Sequence, residues 1–249
     1  MPRLGTRKLY HLLQQQPDYR HVGRDWLFTF LRQEGLLVKK KRKYVKTTDA
    51  SQWRRQHENL VKFKRPTGPE QLWVADITYL STKSGYRYLH LLTDAYSKKI
   101  MGYELSQDMS AQNTVRALKT ALLSRQYDHP LIHHSDRGLQ YCSTMYTKTL
   151  EDAGIKISMT QDGSPYDNAV AERVNGVLKQ EYGLDEIAEN EATLRAQLRR
   201  AVDSYNNLRP HWSCWLLTPE QMHQQQQLPV RGWNKKIAKG QPDPWSLLT

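Results

Sequence analysis

The order in which hydrophobic periodicity changes after residue 71 constrains the fold more than any other feature of this chain. The stretch "LWVADITYL" alternates with period two. Trp73, Ala75, Ile77 and Tyr79 share one face, and Val74, Asp76, Thr78 and Leu80 the other. A turn at 83–85 leads into "YRYLHLLTDAY", and "KKIMGYEL" follows, so three successive strands predict an antiparallel meander. From Ser110 the period changes. "SAQNTVRALKTALLSR" has helical spacing, with Val115, Leu118 and Leu122 on one face and Ser110 as its cap. Then come strand "LIHHSD", helix "TMYTKTLEDAG" closed by Gly154, strand "IKISMT" and helix "DNAVAERVNGVLKQEY". A longer helix is built around Leu194, Leu198, Val202 and Tyr205.

Strands that alternate with helices must run parallel and be joined by right-handed crossovers. The expected fold is therefore α/β: a mixed five-stranded sheet flanked by helices, the ribonuclease H-like arrangement, over residues 71–225. Before it, residues 1–46 read as a small basic helical, helix-turn-helix-like segment. Leu9, Leu12 and Leu13 form one helix face ended near Pro17, and Leu27, Phe30 and Leu31 a second ended by Gly35. Residues 47–70, with "KRPTGPEQ" at 64–71 marking their end, read as a linker, and the Gln-rich "QMHQQQQLPVRGW" from Gln221, with the tail at 226–249, as flexible or partner-contacting.

Charge divides the chain in the same place. The net charge is +12, and residues 1–66 hold 17 Lys/Arg against 5 Asp/Glu, which accounts for the whole excess. A neutral body with a basic leading segment points to a polyanion, most simply DNA, with Lys39, Lys40, Lys41, Arg42 and Lys43 as phosphate contacts. Cys142 and Cys214 form no disulfide framework and no zinc spacing, so a reducing, cytoplasmic setting is expected. No apolar run reaches the roughly 18 residues of a membrane span, and no P-loop motif is present.

Three acids occupy unusual places. Asp76 interrupts an apolar strand, Asp136 follows the buried-looking "LIHH", and Glu172 lies among Ala169, Val170 and Val174. Each has an ordinary reading: Asp136 as a turn cap before Arg137-Gly138, Asp76 as the partner of a buried arginine, Glu172 as a surface salt bridge. Gathered where two neighbouring strands end, they would instead suit magnesium, which takes hard oxygen ligands and keeps several waters. Two such ions can prepare a water or a 3′-hydroxyl for attack on a phosphodiester, with Asp76 as the bridging ligand and manganese as a possible substitute. His133 and His134 are adjacent on a strand, face opposite ways, and are not expected to share a metal. Lys179 lies seven residues after Glu172 on nearly the same helix face, with Asn175 between them, and both are candidate DNA contacts.

"WVADITYL", "HHSDRGLQY" and "SPYDNAVAERVNGVLKQE" resemble the three catalytic blocks of transposases of the IS-three family of insertion sequences, and more distantly the retroviral integrase core. The 35 residues between Asp136 and Glu172 match the spacing of that superfamily, and "YNNLRPHWSCWLLTPEQ" resembles the family's C-terminal block. The resemblance implies that Asp76, Asp136 and Glu172 are the metal-binding catalytic acids, and that Lys179 is the basic residue two turns after the glutamate. It also implies a second-frame product, usually joined to an upstream helix-turn-helix protein, acting on transposon ends and target DNA. Holding two ends together requires a homo-oligomer, in a bacterial cytoplasm and on the nucleoid. A same-fold metal-dependent nuclease, or a catalytically silent transposase-derived DNA-binding protein, are the alternatives.

Overall fold

A computed structural model gives the fold of residues 1, 3–38, 57–61, 66–160, 168–226 and 228. Two helices, α1 (Thr6–Gln14) and α2 (Arg24–Gln33), precede the sheet strands β1 (Leu72–Thr82), β2 (Gly85–Asp94) and β3 (Ile100–Ser106). Then follow α3 (Ala111–Leu123), β4 (Ile132–Ser135), α4 (Thr144–Asp152), β5 (Lys156–Met159), α5 (Ala169–Glu181), α6 (Glu191–Asn207) and α7 (Pro219–His223). The sheet order is β3-β2-β1-β4-β5, with β1–β2 and β2–β3 antiparallel and β1–β4 and β4–β5 parallel. This is the mixed five-stranded sheet expected from the periodicity, with β1 at its centre.

Alternation along β1 and β2 divides the core between two helix layers. Leu80, Leu89 and Leu91 pack against Val174, Val177 and Leu178 of α5 and Leu194, Leu198 and Tyr205 of α6. On the opposite face Trp73, Ala75 and Leu92 pack against Val115, Leu118 and Ala121 of α3 and Tyr146 and Leu150 of α4. Helix α3 lies very close to β3 because residue 102 is glycine. A β-carbon there would stand 2.4 Å from the Ala117 carbonyl oxygen and 2.5 Å from the Ala121 nitrogen. Those are backbone atoms of a helix, which move only if the whole helix moves. Ser110 occupies the position before α3 in extended conformation, but its side chain makes no capping bond to the helix backbone.

Helix α1 and the residues before it sit on the carboxyl end of α5. Glu181 accepts two hydrogen bonds from Arg209, each 2.8 Å, and two from Lys8 Nζ at 3.1 and 3.4 Å. Arg3 pairs with Asp185 and Glu186. Arg209 is almost fully buried, so this fork-to-carboxylate pair is a closed structural link. Lys8 is pushed down to about 8, chiefly by burial and also by the neighbouring Arg209 charge. On α2, Leu27 and Leu31 are buried as expected, whereas Phe30 is exposed and stacks on Trp26. A ten-residue helix docked along one narrow stripe covers positions four apart and leaves its third apolar residue outside.

Both expected flexible boundaries need correction. Gly68, Pro69 and Glu70, placed in the linker by their turn-forming composition, are buried against the sheet. Met222 and His223, in the Gln-rich stretch, belong to α7 and are fully buried. The reason is a shared polar network that composition does not reveal. Glu70 accepts from the Gln126 and Tyr127 backbone N–H groups and lies 3.2 Å from His223 Nε2. Asp94 accepts from the Glu70 and Ser97 N–H groups and from Ser97 Oγ, which meets His223 Nδ1 at 3.0 Å. Thr218 and Gln221 close a reciprocal capping box at the start of α7. The basic run 39–46, with Lys39, Lys40, Lys41, Arg42 and Lys43, lies outside the described residues.

Two outcomes follow from these packings. Gly102→Ala should destabilise the fold by about 1–3 kcal/mol in urea denaturation, since α3 must shift to admit the methyl group. The network should make stability depend on pH. Burial opposes the charge on His223, but Asp94 and Glu70 outweigh it and raise its pKa above 6.5. Its contribution is complete below 6.5 and is lost as pH rises through the folded value. Burial also opposes ionised Glu70, yet bonds from His223, Tyr127 and Gln126 hold its pKa below 4.5, so its contribution is lost as pH falls through that lower value. Replacing His223 with Gln should therefore reduce the loss of urea midpoint seen between about pH 5.5 and about pH 8.5.

Candidate active site

The site forms where β1 and β4 part. Strand β4 pairs with β1 at Leu72↔Ile132, Trp73↔His133 and Val74↔His134, so partners differ by 60 in number. Strand β4 ends at Ser135, while β1 continues to Thr82. The same offset carried two places forward sets Asp76 across from Asp136, at the mouth of the opening. The β1 edge exposed there is secured from α5: Asn168 Nδ2 donates to the Ala75 carbonyl oxygen at 3.0 Å.

Each aspartate is held in place by donors. Asp76 Oδ1 accepts from the Ile77 N–H at 2.9 Å, and Oδ2 accepts from Asn175 Nδ2 at 2.8 Å. Asp136 Oδ1 accepts from the Gly138 N–H at 2.9 Å, the tight turn in which a carboxylate binds the backbone two residues on. A β-carbon at Gly138 would lie 3.0 Å from that oxygen and 2.9 Å from Gln140 Oε1. Both are side-chain ends, so a side chain at 138 would displace the Asp136 carboxylate or the Gln140 amide and not the backbone.

The electrostatics confirm the crowding. Asp76 is pushed up to about 7, first by burial and next by the negative charge of Asp136, with a smaller contribution from Glu172. Its bonds from Asn175 and Ile77 oppose the shift and do not overcome it. Asp136 is raised as well, mainly by burial, against the Gly138 N–H. Tyr141 lies buried beneath the pair, and its hydroxyl is held far above its ordinary value by burial and by Tyr146, Asp136 and Asp76. Among the described residues no lysine or arginine forms an ion pair with Asp76, Asp136 or Glu172.

Glu172 stands apart from the two aspartates. It is exposed in the first turn of α5, within electrostatic reach of Asp76. Among the described residues no three His, Cys, Asp or Glu side chains are gathered closely enough to hold a metal ion alone. Two half-buried carboxylates that pair with no lysine or arginine among the described residues are nevertheless the donor set a hard divalent ion takes, because magnesium fills its remaining positions with water and phosphate oxygens. The oxygen chemistry of Asp76 and Asp136 fits such an ion, and Glu172 stands outside the pair, exposed on α5.

The other sequence candidates are distributed differently. Asn175 is buried and turned inward onto Asp76, so it orients a carboxylate instead of facing solvent. Its place three residues after Glu172, one helical turn on, was the available signal for this role. Lys179 Nζ lies 4.5 Å from the centre of the Tyr79 ring. His133 Nε2 meets the Tyr146 hydroxyl at 2.8 Å and His134 Nδ1 meets Ser158 Oγ at 2.9 Å, on opposite faces of β4. The polar residues of the C-terminal block brace the scaffold. Asn206 exchanges two hydrogen bonds with the Ile100 backbone, and Arg209 holds Glu181 at the end of α5.

Residues 66–165 match the integrase core domain family, and residues 153–219 match a second integrase core domain family. The chain is 36% identical over 193 residues to the transposase InsF for insertion sequence IS3A of Escherichia coli (strain K12), covering 77% of this chain and 67% of that protein. It is 40% identical over 178 residues to an uncharacterized 31 kDa protein of insertion element IS600 of Shigella sonnei, covering 71% of this chain and 65% of that one. The chain thus spans just under two thirds of the length of the IS600 relative. The catalytic core domain of HTLV-2 integrase, solved in complex with magnesium, shares the fold with a TM-score of 0.52 and 23% identity, over 64% of this chain and 99% of that one.

The crowding of the aspartates gives a direct test. Asp76 titrates higher in the fold than its ordinary 3.8, so in chelator-treated protein stability falls as pH rises from about 4 through about 7. Asp136→Asn removes one repelling charge. In that variant the Asp76 carboxyl should titrate below the wild-type value by carbon-13 NMR, and metal-free stability at neutral pH should increase.

Proposed function

Because the chain belongs to the integrase-core transposases of the IS-three family, we propose that it cleaves DNA strands at the ends of a mobile element and transfers the freed 3′-hydroxyl to a second DNA. The observation that carries this reading is the Asp76–Asp136 pair at the parting of β1 and β4, crowded, raised in pKa and lacking a cation among the described residues. An arrangement kept at such electrostatic cost belongs to a site that receives a cation with its substrate.

The reaction consists of two attacks at phosphorus. In the first, a water oxygen forms a bond to the scissile phosphorus and the bond to the 3′-oxygen breaks, leaving a 3′-hydroxyl. In the second, that hydroxyl attacks a phosphorus of the target strand and displaces its 3′-oxygen. Asp76, Asp136 and Glu172 would hold divalent metal, magnesium by preference and two ions by proposal. When bound there, it would supply Lewis acidity and a readied oxygen nucleophile. The chain's own part is positioning. Asn175 and the Ile77 N–H fix both oxygens of Asp76, the Gly138 N–H fixes Asp136, and Asn168 ties the start of α5 to β1. Lys179, two turns beyond Glu172, supplies positive charge for a strand phosphate, and the basic run 39–43 would add further phosphate contacts.

DNA is therefore the proposed partner, as element ends and as target. Two ends joined in one event call for at least two sites, hence a homo-oligomer, and an upstream helix-turn-helix protein of the same element is a further proposed partner. Among the described residues no helix is long and apolar enough to cross a membrane.

A labelled DNA end carrying the element's terminal repeat, incubated with magnesium, tests the reading. Wild type should give cleaved and joined products, and Glu172→Gln should give neither. Cleavage without joining would favour a nuclease of the same fold. Binding with no metal-dependent product, with the upstream partner supplied, would favour a silent DNA-binding protein. Asn175→Ala should fold and bind DNA yet lose about 10–100-fold in activity, as expected when the hydrogen-bond partner of a metal-holding carboxylate is removed.

A further inference from the structure

The hairpin of β1 and β2 runs on past the end of β4 and past the cover of α3. The β1 residues that meet α3 and α4 are Trp73, Ala75 and Ile77. Tyr79, next on the same face, is 49% exposed, and Tyr86 is 60% exposed. The register pairs Tyr79 with Tyr88 and Ser81 with Tyr86, so Tyr79 and Tyr86 are diagonal neighbours on one face. Their rings are 5.3 Å apart and nearly perpendicular, at 74°. Against Tyr79, from the edge that β4 leaves open, lies the ammonium of Lys179 at 4.5 Å.

We infer that Tyr79 and Tyr86, with Lys179 beside them, form a stacking site for an unpaired base of the DNA strand that occupies the carboxylate pair. The inference rests on the DNA-acting function proposed above and specifies which part of the strand the site reads. Exposed aromatic faces bind nucleobases, whatever their identity, because every base has a π-face, and an adjacent cation holds the neighbouring phosphate. A base within a duplex has both faces covered by its neighbours, so only a frayed or unpaired nucleotide offers one. The distances suit a strand end. Tyr79 is three residues along β1 from Asp76, about 10 Å at roughly 3.3 Å per residue, and on the opposite face of the strand, so a path between them rounds the open β1 edge. Lys179 is seven residues along α5 from Glu172, again about 10 Å at 1.5 Å per residue. At about 3.4 Å per nucleotide that is a separation of roughly three steps. The strand would thus run from the carboxylates along the open edge of β1 and turn its last bases onto the tyrosines. Such a site separates an opened end from an intact duplex without reading sequence.

The test uses the full chain and a chelator, so that no cleavage intervenes. Binding is measured to a blunt duplex and to the same duplex with a short unpaired thymidine overhang that contains 2-aminopurine, whose fluorescence is quenched on stacking. Wild type should prefer the overhang and quench the probe. Tyr79→Ala and Tyr86→Ala should each weaken overhang binding roughly five- to hundredfold and relieve the quenching, with blunt-duplex affinity unchanged. Tyr79→Phe and Tyr86→Phe should behave as wild type, which separates loss of stacking from loss of fold. Equal losses on both DNAs, or losses in the phenylalanine variants, would overturn the inference. So would a change in sedimentation of the alanine variants, because a second copy of the chain would then be what covers this face. If wild type yields joined products in the magnesium assay but shows no preference for the overhang, the stacking site alone is refuted. If it yields none, the functional reading fails by its own test.

Discussion

The parallel pairing of β1 with β4, and its early end, is the constraint on which the rest of the molecule depends. Three paired positions fix the register. Two places later the strands have parted, and the residues at the same offset there are both aspartates. A one-residue slip would turn every β1 side chain to the opposite face, sending Trp73 and Ala75 out of the α3 layer and Asp76 away from α5. The hydrophobic core that selects the register therefore also selects the site. The carboxylates need no separate device to bring them together, only strands buried on both faces.

Keeping two acids at that point has a cost, and the surrounding structure is arranged to carry it. Asn175, Ile77 and Gly138 satisfy carboxylate oxygens without neutralising them. Helix α5 must then be rigid, because it delivers both Asn175 and Glu172. It is tied at its start by Asn168 to the β1 backbone and at its end by Glu181 to Arg209 and Lys8. The tie at Glu181 alone connects the helix to α1, through Lys8, and to the C-terminal block, through Arg209. A force on either segment is thus transmitted to the element that carries the third acid.

Much of this was legible in the sequence. Period-two and helical spacing gave the element order, and the order alone implied a mixed sheet with β1 and β4 as neighbours. Asp76 was conspicuous because a charge interrupts an apolar strand, and Asp136 because it ends one. Asn175 was placed on the correct helix but given an outward role, since periodicity assigns a face and not the partner that the face meets. The packed segments at 68–70 and 222–223 were missed for a related reason. Proline, glycine and glutamine composition describes how a segment behaves alone, whereas Glu70, Asp94, Ser97 and His223 are buried because they satisfy one another across distant parts of the chain.

The sequence by itself determined the class of fold and the order of elements along the chain, and it marked three acids as candidates, because these follow from local periodicity and from residues out of keeping with their neighbours. Only the tertiary structure decided which of them meet. It set Asp76 and Asp136 together and left Glu172 exposed beside them. It also turned Asn175 inward and brought Lys179 over the exposed ring of Tyr79. Those outcomes depend on register, on where β4 stops and on how α5 lies across the gap. They are distances between segments remote in sequence, which hydrophobic pattern constrains but does not specify.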